Sequence, residues 1–456
     1  MCNLYVRDIV NICHGKVLCG DEDLELGKFV TDTRILESGN VYVGLMGEKV
    51  NGSDYYLDAI KRGASVCILN KMIDVSDIDC TIVVVEDTLV CLQELAKYKR
   101  SLMDIPVIAI TGSVGKTSTK DMIASVVSTK YRVHKTSGNY NNHIGVPLTI
   151  LSYTDEEVLV VEMGMNHLGE ISLLSKIAMP TISVITNVGT AHIGNLGSRE
   201  NILKAKLEII DGMKGKDIVI NYDNDMLSSV YDKLSKDYHV RAISIDSKSQ
   251  YRGTNIRYDI FESDFDIDGI SHNIHVNVGG KVFVYNALVA YAVGNILDIS
   301  DVDIKKGISS FKLSSHRLER CVSKSGIVVI DDTYNANFDS MKSSIELLGG
   351  IKDKRKIAIL GDMLELGEYS DKLHRDIGDV VIQNHIDILI TVGEYSKEVD
   401  KRVIELGMFE DNVIHFDKES DSYSFLRNYL DNSDIVLVKG SHGVHLDRVV
   451  LEILKM

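Results

Sequence analysis

Positive charge is in short supply: 50 Lys and Arg stand against 66 Asp and Glu, a formal net charge of −16 over 456 residues. A field of that sign repels polyanions and argues against a non-specific nucleic-acid binder. An anionic substrate would have to be met by local donors and metal ions. Proline is also scarce, with only Pro106, Pro147 and Pro180; no short repeat, low-complexity tract or long disordered linker interrupts the chain. The seven cysteines (Cys2, Cys13, Cys19, Cys67, Cys80, Cys91, Cys321) form no C-x-x-C pair, which points to reduced thiols rather than to disulfides or a zinc site. No uncharged apolar run approaches the roughly 18 residues that a membrane span needs. The opening MCNLYVRDIV, with Arg7 and Asp8, has no signal-peptide core. The expectation is a cytoplasmic protein with no membrane insertion and no nucleic-acid partner.

The length, at roughly 150 residues per domain, implies about three domains. VYVGL (41–45), VCIL (66–69) and IVVV (82–85) read as strands, and LVCLQELAKYKR after Asp87 reads as a helix. From Pro106 the rhythm changes: VIAI, a glycine-bearing loop, the helix DMIASVVST, then strand-like VLVV and ISVIT. A third block near Phe311 carries IVVI (327–330), IAIL (357–360), ILITV (388–392) and IVLV (435–438) between helices. Such alternation implies βαβ units and mostly parallel sheets. The predicted architecture is α/β in three domains, 1–100, 101–314 and 315–456, the central one built around a phosphate-binding loop and the last Rossmann-like.

That loop is the sharpest local signal. Gly112, Ser113, Val114, Gly115, Lys116, Thr117 and Ser118 directly follow the apolar strand VIAI and open a helix. Glycines let backbone wrap a phosphate, the helix N-terminus attracts its charge, and Lys116 reaches the outer phosphates. The Thr117 hydroxyl is suited to Mg²⁺. Ile110 stands where the full Walker spacing would put glycine, so the loop is the shorter G-x-x-G-K-T form. Several other strands end in polar groups: Glu162 after VLVV, His192 shortly after ISVITNV, Asp331 and Asp332 after IVVI, Asp362 after IAIL and Lys439 after IVLV. Ligands of open α/β sheets bind outside the carboxyl ends of strands, although each acid taken singly is more often a turn or helix cap than a ligand. Glu162 and His192 are the better metal candidates, a carboxylate suiting Mg²⁺ more than an imidazole does. In RENILKAKLEII a 100° step puts Ile202, Leu203, Ala205, Ile209 and Ile210 on one face with Lys206 near its middle, and Lys204 and Glu208 on the solvent side. A lysine there must snorkel, pair with an acid or lose its charge. The amide-rich segment holding Asn139, Asn141 and Asn142, like Tyr334, Asn335 and Asn337 after the acid pair, suits either a structural loop or hydrogen bonding to a carbonyl-rich substrate.

These segments together resemble the Mur ligases, ATP-dependent amide-forming enzymes of peptidoglycan precursor synthesis. The likeness runs through TDTR (31–34), TGSVGKTSTK (111–120), GNYNNHIGVPLTIL (138–151), VVEMGMNHLGEI (160–171), NVGTAHIGNLGS (187–198), KAKLEI (204–209), YNALVA (285–290), HRLE (316–319), DDTYNAN (331–337), LGDMLELGE (360–368) and VKGS (438–441). The glycine loop is shared with folylpolyglutamate synthases; GNYNNHIGVP, DDTYNAN and LGDMLELGE favour the branch that joins D-alanyl-D-alanine to UDP-N-acetylmuramoyl-tripeptide. Another Mur ligase or a folylpolyglutamate synthase-like ligase is the alternative. The resemblance implies an N-terminal UDP-sugar domain, a central ATP domain and a C-terminal ligase domain acting as a monomer. It implies two Mg²⁺ ions held by Thr117, Glu162, His192 and a Lys206 carbamylated by CO₂, with Lys116, His192 and Lys206 as the catalytic set. It further implies that Asn286, Arg317 and Asp332 hold adenine and ribose with the phosphate loop, that Thr33 and Arg34 receive the UDP end, and that Asn139, Asn141, Asn142, Tyr334, Asn335 and Asn337 contact substrate. Leu207, Thr333, Phe338 and His442 depart from the residues usual in the family at those positions.

Overall fold

The computed structural model describes residues 3–456, which build three sheets in chain order. The expected runs are strands because they are Val- and Ile-rich without alternation, the composition of a sheet buried on both faces. Val107–Thr111, Val158–Glu162, Ile182–Ile185, Ile388–Val392 and Asp434–Lys439 are buried at every residue. The first sheet has five strands, its Lys16–Cys19 edge antiparallel and the rest parallel. The last sheet has six, with a single antiparallel pair between Glu319–Val322 and Val328–Asp331.

The central sheet has nine strands and places Val107–Thr111 between Ile182–Ile185 and Val158–Glu162, so the phosphate loop leaves an interior strand. Seven of its strands run parallel, Tyr251–Tyr258 being the last of them. Tyr251–Tyr258, Ser263–Ile267 and Ser271–Val276 add two antiparallel hairpins that the apolar-run pattern does not reveal. Their buried residues alternate with partly buried ones, so no run stands out. The sixteen-residue helix Lys281–Ile296 packs on Lys116–Val127; Gly294 admits the Ile304 side chain where a Cβ would stand 2.8 Å from it.

Polar stitches join the three units. Helix Thr88–Ser101 starts at Asp87, whose carboxylate accepts from Leu89 N and Val90 N. It ends with the buried Arg100, which donates to the carbonyls of Met103, Ala178 and Met179 at 2.8–3.0 Å, the last two in the central unit. The third unit docks on the carboxyl end of the central sheet. There Asp339 Oδ2 accepts from Thr190 N (2.7 Å) and Oγ1 (2.9 Å), and Tyr369 OH donates to Gly197 O (2.8 Å). Among the described residues no helix is long and apolar enough to cross a membrane.

Candidate active site

The strand ends of the central and third sheets face one another across a cavity of about 450 Å³. Its wall brings together Ser113 to Ser118 of the phosphate loop, Asn139, Asn141 and Asn142, Glu162, His192, and Arg317, Asp332, Tyr334, Asn335 and Asn337 from the third unit. Residues more than 200 positions apart thus share one space, as the strand-end rule requires. Gly112, Asn286, Lys206, Thr33 and Arg34 do not line it.

The loop geometry is specific to glycine at both ends. A Cβ on Gly112 would stand 1.9 Å from Thr186 Oγ1, and Gly115 caps the helix Lys116–Val127 at φ 82°, a left-handed conformation. The helix N-terminus therefore opens on the cavity, a disposition of N–H groups and dipole suited to an anion. Lys116 folds back so that Nζ donates to Gly112 O (2.8 Å). Burial pushes its ammonium below the usual lysine range, Glu162 opposes this and Arg317 adds to it. Asn187, quoted in NVGTAHIGNLGS but given no role, holds the loop: its Oδ1 accepts from Ser113 N (3.1 Å) and Val114 N (2.9 Å), and its Nδ2 donates to Val114 O (3.0 Å).

Glu162 is 2% exposed. Its Oε1 accepts from Asn141 Nδ2 (2.8 Å), while Oε2 has no hydrogen-bond partner among the described residues. A buried carboxylate oxygen without a donor is costly unless a cation meets it; with the Thr117 hydroxyl on the same wall, an oxygen-seeking ion such as Mg²⁺ fits these residues. His192 sits at φ 62° with Nδ1 3.0 Å from Glu365 Oε2 of the third unit. Lys206 is 1% exposed on the apolar face of Arg199–Leu207. Among the described residues its amine has no hydrogen-bond or ion-pair partner. Burial, reinforced by Lys116, pushes its pKa well below the ordinary lysine value. Of the three fates open to such a lysine, snorkelling and pairing are both absent. Glu208, placed on the solvent side by periodicity, is half-buried and caps the neighbouring helix Glu170–Ala178 by accepting from Gly169 N and Ser172 N.

The amide-rich loops carry structural work as well. Asn142 Oδ1 accepts from Ile144 N and Gly145 N at the start of Gly145–Leu151, and Asn337 caps Phe338–Gly349 with Ser340 completing a capping box. Their side-chain N–H groups remain for other partners. Asp332 is 9% exposed and heavily engaged: Oδ2 accepts from Lys439 Nζ (2.5 Å) and Ser344 Oγ (2.7 Å), Oδ1 from Leu318 N (3.2 Å). Arg317 lies over the Tyr334 ring, 4.0 Å from its centroid, and donates to Thr117 Oγ1 (3.0 Å). Asn286 opens instead on a smaller cavity of about 230 Å³ behind Val114 and Asn187. There its Oδ1 accepts from Thr119 Oγ1 while Nδ2 is buried without a partner, a donor that a purine ring nitrogen would satisfy. Thr33 and Arg34 form a short turn in the first unit, with Arg34 exposed and paired to Asp32 at 2.7 Å; that pairing holds the Asp32 carboxyl at about 2.

Residues 110–294 match the model of the Mur ligase middle domain, and residues 316–442 that of the Mur ligase glutamate ligase domain. The UDP-N-acetylmuramoyl-tripeptide–D-alanyl-D-alanine ligase of Bacillus subtilis is 36% identical over 429 residues, 93% of this chain and 92% of that one. The chain belongs to the Mur ligase family. The enzyme of the same name from Escherichia coli is 30% identical over 99% of this chain and 98% of its own length. Among solved Mur ligases, MurF from Acinetobacter baumannii superposes with a TM-score of 0.90 at 27% identity, covering 99% of both chains. The MurF ligase of Thermotoga maritima, solved in complex with ADP, gives 0.81 at 27% identity over 94% of this chain and 97% of that one. Both Mur ligase likenesses run through the N-terminal unit, beyond the two matched domain models.

Proposed function

We propose that this chain is the ATP-dependent ligase that joins D-alanyl-D-alanine to UDP-N-acetylmuramoyl-tripeptide in the cytoplasm, acting as a monomer. The domains are 1–100 for the UDP-sugar end, 101–314 for ATP and 315–456 for the dipeptide. What carries this is the convergence, on one cavity, of a phosphate loop, a buried carboxylate with a free oxygen, and Arg317 and Asp332 from another domain. Full-length likeness to ligases named for that reaction supports the choice of substrate.

The chemistry requires a carboxylate, an unreactive acylating group at neutral pH, to be activated. The tripeptide's terminal carboxylate oxygen attacks the γ-phosphorus of ATP, the bond to ADP breaks, and an acyl phosphate forms. The dipeptide amine then attacks the carbonyl carbon, loses a proton and expels phosphate. Lys116 and the helix N-terminus meet the negative charge on the moving phosphoryl group, and positioned charge is the main catalytic resource for such transfers. The amides of Asn139, Asn141 and Asn142 donate to the reacting carboxylate and peptide carbonyls, while Tyr334, Asn335 and Asn337 hold substrate from the opposite wall. Arg317 and Asp332 take the ribose, Asn286 the adenine, and Thr33 and Arg34 the UDP end. Thr117 and Glu162 would hold one Mg²⁺, with His192 near a second and Lys206, as a carbamate, a further ligand. When bound, such ions would supply positive charge against the phosphates. An unprotonated amine adds CO₂ at nitrogen with loss of one N–H proton, which would turn a buried cation without an acid partner into a carboxylate-like anion suited to a cation.

The test is turnover with ATP and Mg²⁺ and both substrates. The expected product is heavier than the UDP-tripeptide by one dipeptide less water. Product formation with a single amino acid or a folate instead would move the chain to a sister specificity.

A further inference from the structure

The helix after the phosphate loop carries a polar stripe at four-residue spacing, Thr117, Asp121 and Ser125, and residues four apart share a helix face. The segment leaving the central unit lies along that stripe in the opposite direction. Ser125 Oγ donates to Gly307 O (2.7 Å) and meets Ser310 Oγ (3.2 Å). Ser314 Oγ donates to Asp121 Oδ2 (2.6 Å), and the Arg317 guanidinium donates to Thr117 Oγ1 (3.0 Å). Asp121 is the charged member of the stripe, with its side chain 10% exposed. Its second oxygen takes Lys135 Nζ at 2.7 Å, with Lys120 Nζ 3.3 Å away. Beyond Ser314 the backbone changes character: His316 and Leu318 both take left-handed conformations (φ 62° and 51°), uncommon for residues with a Cβ. The first strand of the third sheet follows at Glu319. A segment clamped on one side and strained on the other is where a hinge between units belongs.

We infer that Asp121 is a positioning residue for Arg317. It pins Ser314 to the phosphate-loop helix, so that movement of the third unit is confined to Ser315–Leu318 and returns the guanidinium to the phosphate loop. Asp121 is not among the residues lining the main cavity, and its role is not one the substrate chemistry requires. The inference rests on the nucleotide reading of that cavity.

Asp121→Asn and Ser314→Ala, singly and together, test it in the full-length protein by hydrogen exchange, with and without ADP, and by steady-state kinetics. The amides of His316 and Leu318 are held by Glu319 and Asp332 (3.0 and 3.2 Å), so loosening of the segment is directly visible. Each single variant is expected to speed exchange across 312–318 and to raise the KM for ATP about tenfold, the effect of one lost hydrogen bond to a charged group. Protection of helix Lys281–Ile296 and kcat should stay near wild type. The double variant should be no worse than the worse single, because both cut the same contact. Wild-type exchange at 312–318 in both single variants, or additive losses with an unchanged KM for ATP, would overturn the inference. Ser314→Ala deletes only a hydroxyl, so it decides the matter even where Asp121→Asn fails to fold. If wild-type protein shows no dipeptide-dependent turnover, the proposed function fails, while the ADP exchange data still decide the anchor.

Discussion

Replacing Lys439 with methionine removes the ammonium around which Asp332 is built. Lys439 is 2% exposed and donates to Asp332 Oδ2 (2.5 Å) and to Asn335 O (3.0 Å). Methionine matches its length, so the cavity left is small and the cost is almost wholly the carboxylate stranded at 9% exposure. Removing one partner of a buried pair costs about 3–5 kcal/mol. For the roughly 140 residues around the third sheet, an unfolding entropy of about 2.1 cal/mol/K per residue makes 1 kcal/mol worth about 3 °C, so Tm of that unit should fall by about 10–17 °C. Scanning calorimetry of the full chain reads this as an early transition. Adding Asp332→Asn to Lys439→Met removes the stranded charge and should recover most of the loss. A fall below about 3 °C, or a double variant no more stable than Lys439→Met, would show that the Asp332 carboxylate does not depend on the Lys439 ammonium.

Lys116→Ala should abolish turnover with unchanged Tm; near-normal phosphate release would remove the phosphate-loop assignment. Lys206→Ala should be inactive and partly rescued by small carboxylates, whereas full activity of wild-type enzyme in bicarbonate-free buffer would contradict carbamylation. Burial alone would raise the Asp223 carboxyl, but it accepts from Ile245 N, Asp246 N, Ser247 N and Tyr285 OH and sits at about 2. Because the folded value lies below the unfolded one, its stabilisation is present above about pH 4 and lost as pH falls toward 2. Asp223→Asn should therefore cost about 2 kcal/mol at pH 6, with the gap to wild type closing near pH 2 in urea titrations; a gap independent of pH would exclude this origin.

The parallel strands were legible because burial on both faces leaves continuous apolar runs, and the phosphate loop because only glycine suits its turns. Lys206 was legible too, since a charge at the centre of a helical apolar face conflicts with its surroundings whatever the tertiary structure. Other features had no local signal. The partner of Asp332 lies 107 residues away, so Lys439 read only as one more strand-end residue. Asn187 looks like any loop asparagine until Ser113 and Val114 are seen pointing at it. The hairpins between Tyr251 and Val276 mix buried and partly buried residues and carry register shifts, which blur their period. Thr33 and Arg34 stay apart from the main cavity, and nothing in their sequence neighbourhood carries distance.

In the proposed reaction the substrate carboxylate is phosphorylated before the amide forms. This order is tested most directly with UDP-tripeptide carrying ¹⁸O in its terminal carboxylate. One labelled oxygen in each released phosphate, with release requiring both the tripeptide and D-alanyl-D-alanine, is the expected result. Unlabelled phosphate accompanying amide formation would contradict the acyl phosphate and, with it, the roles given to Lys116 and the cavity around it.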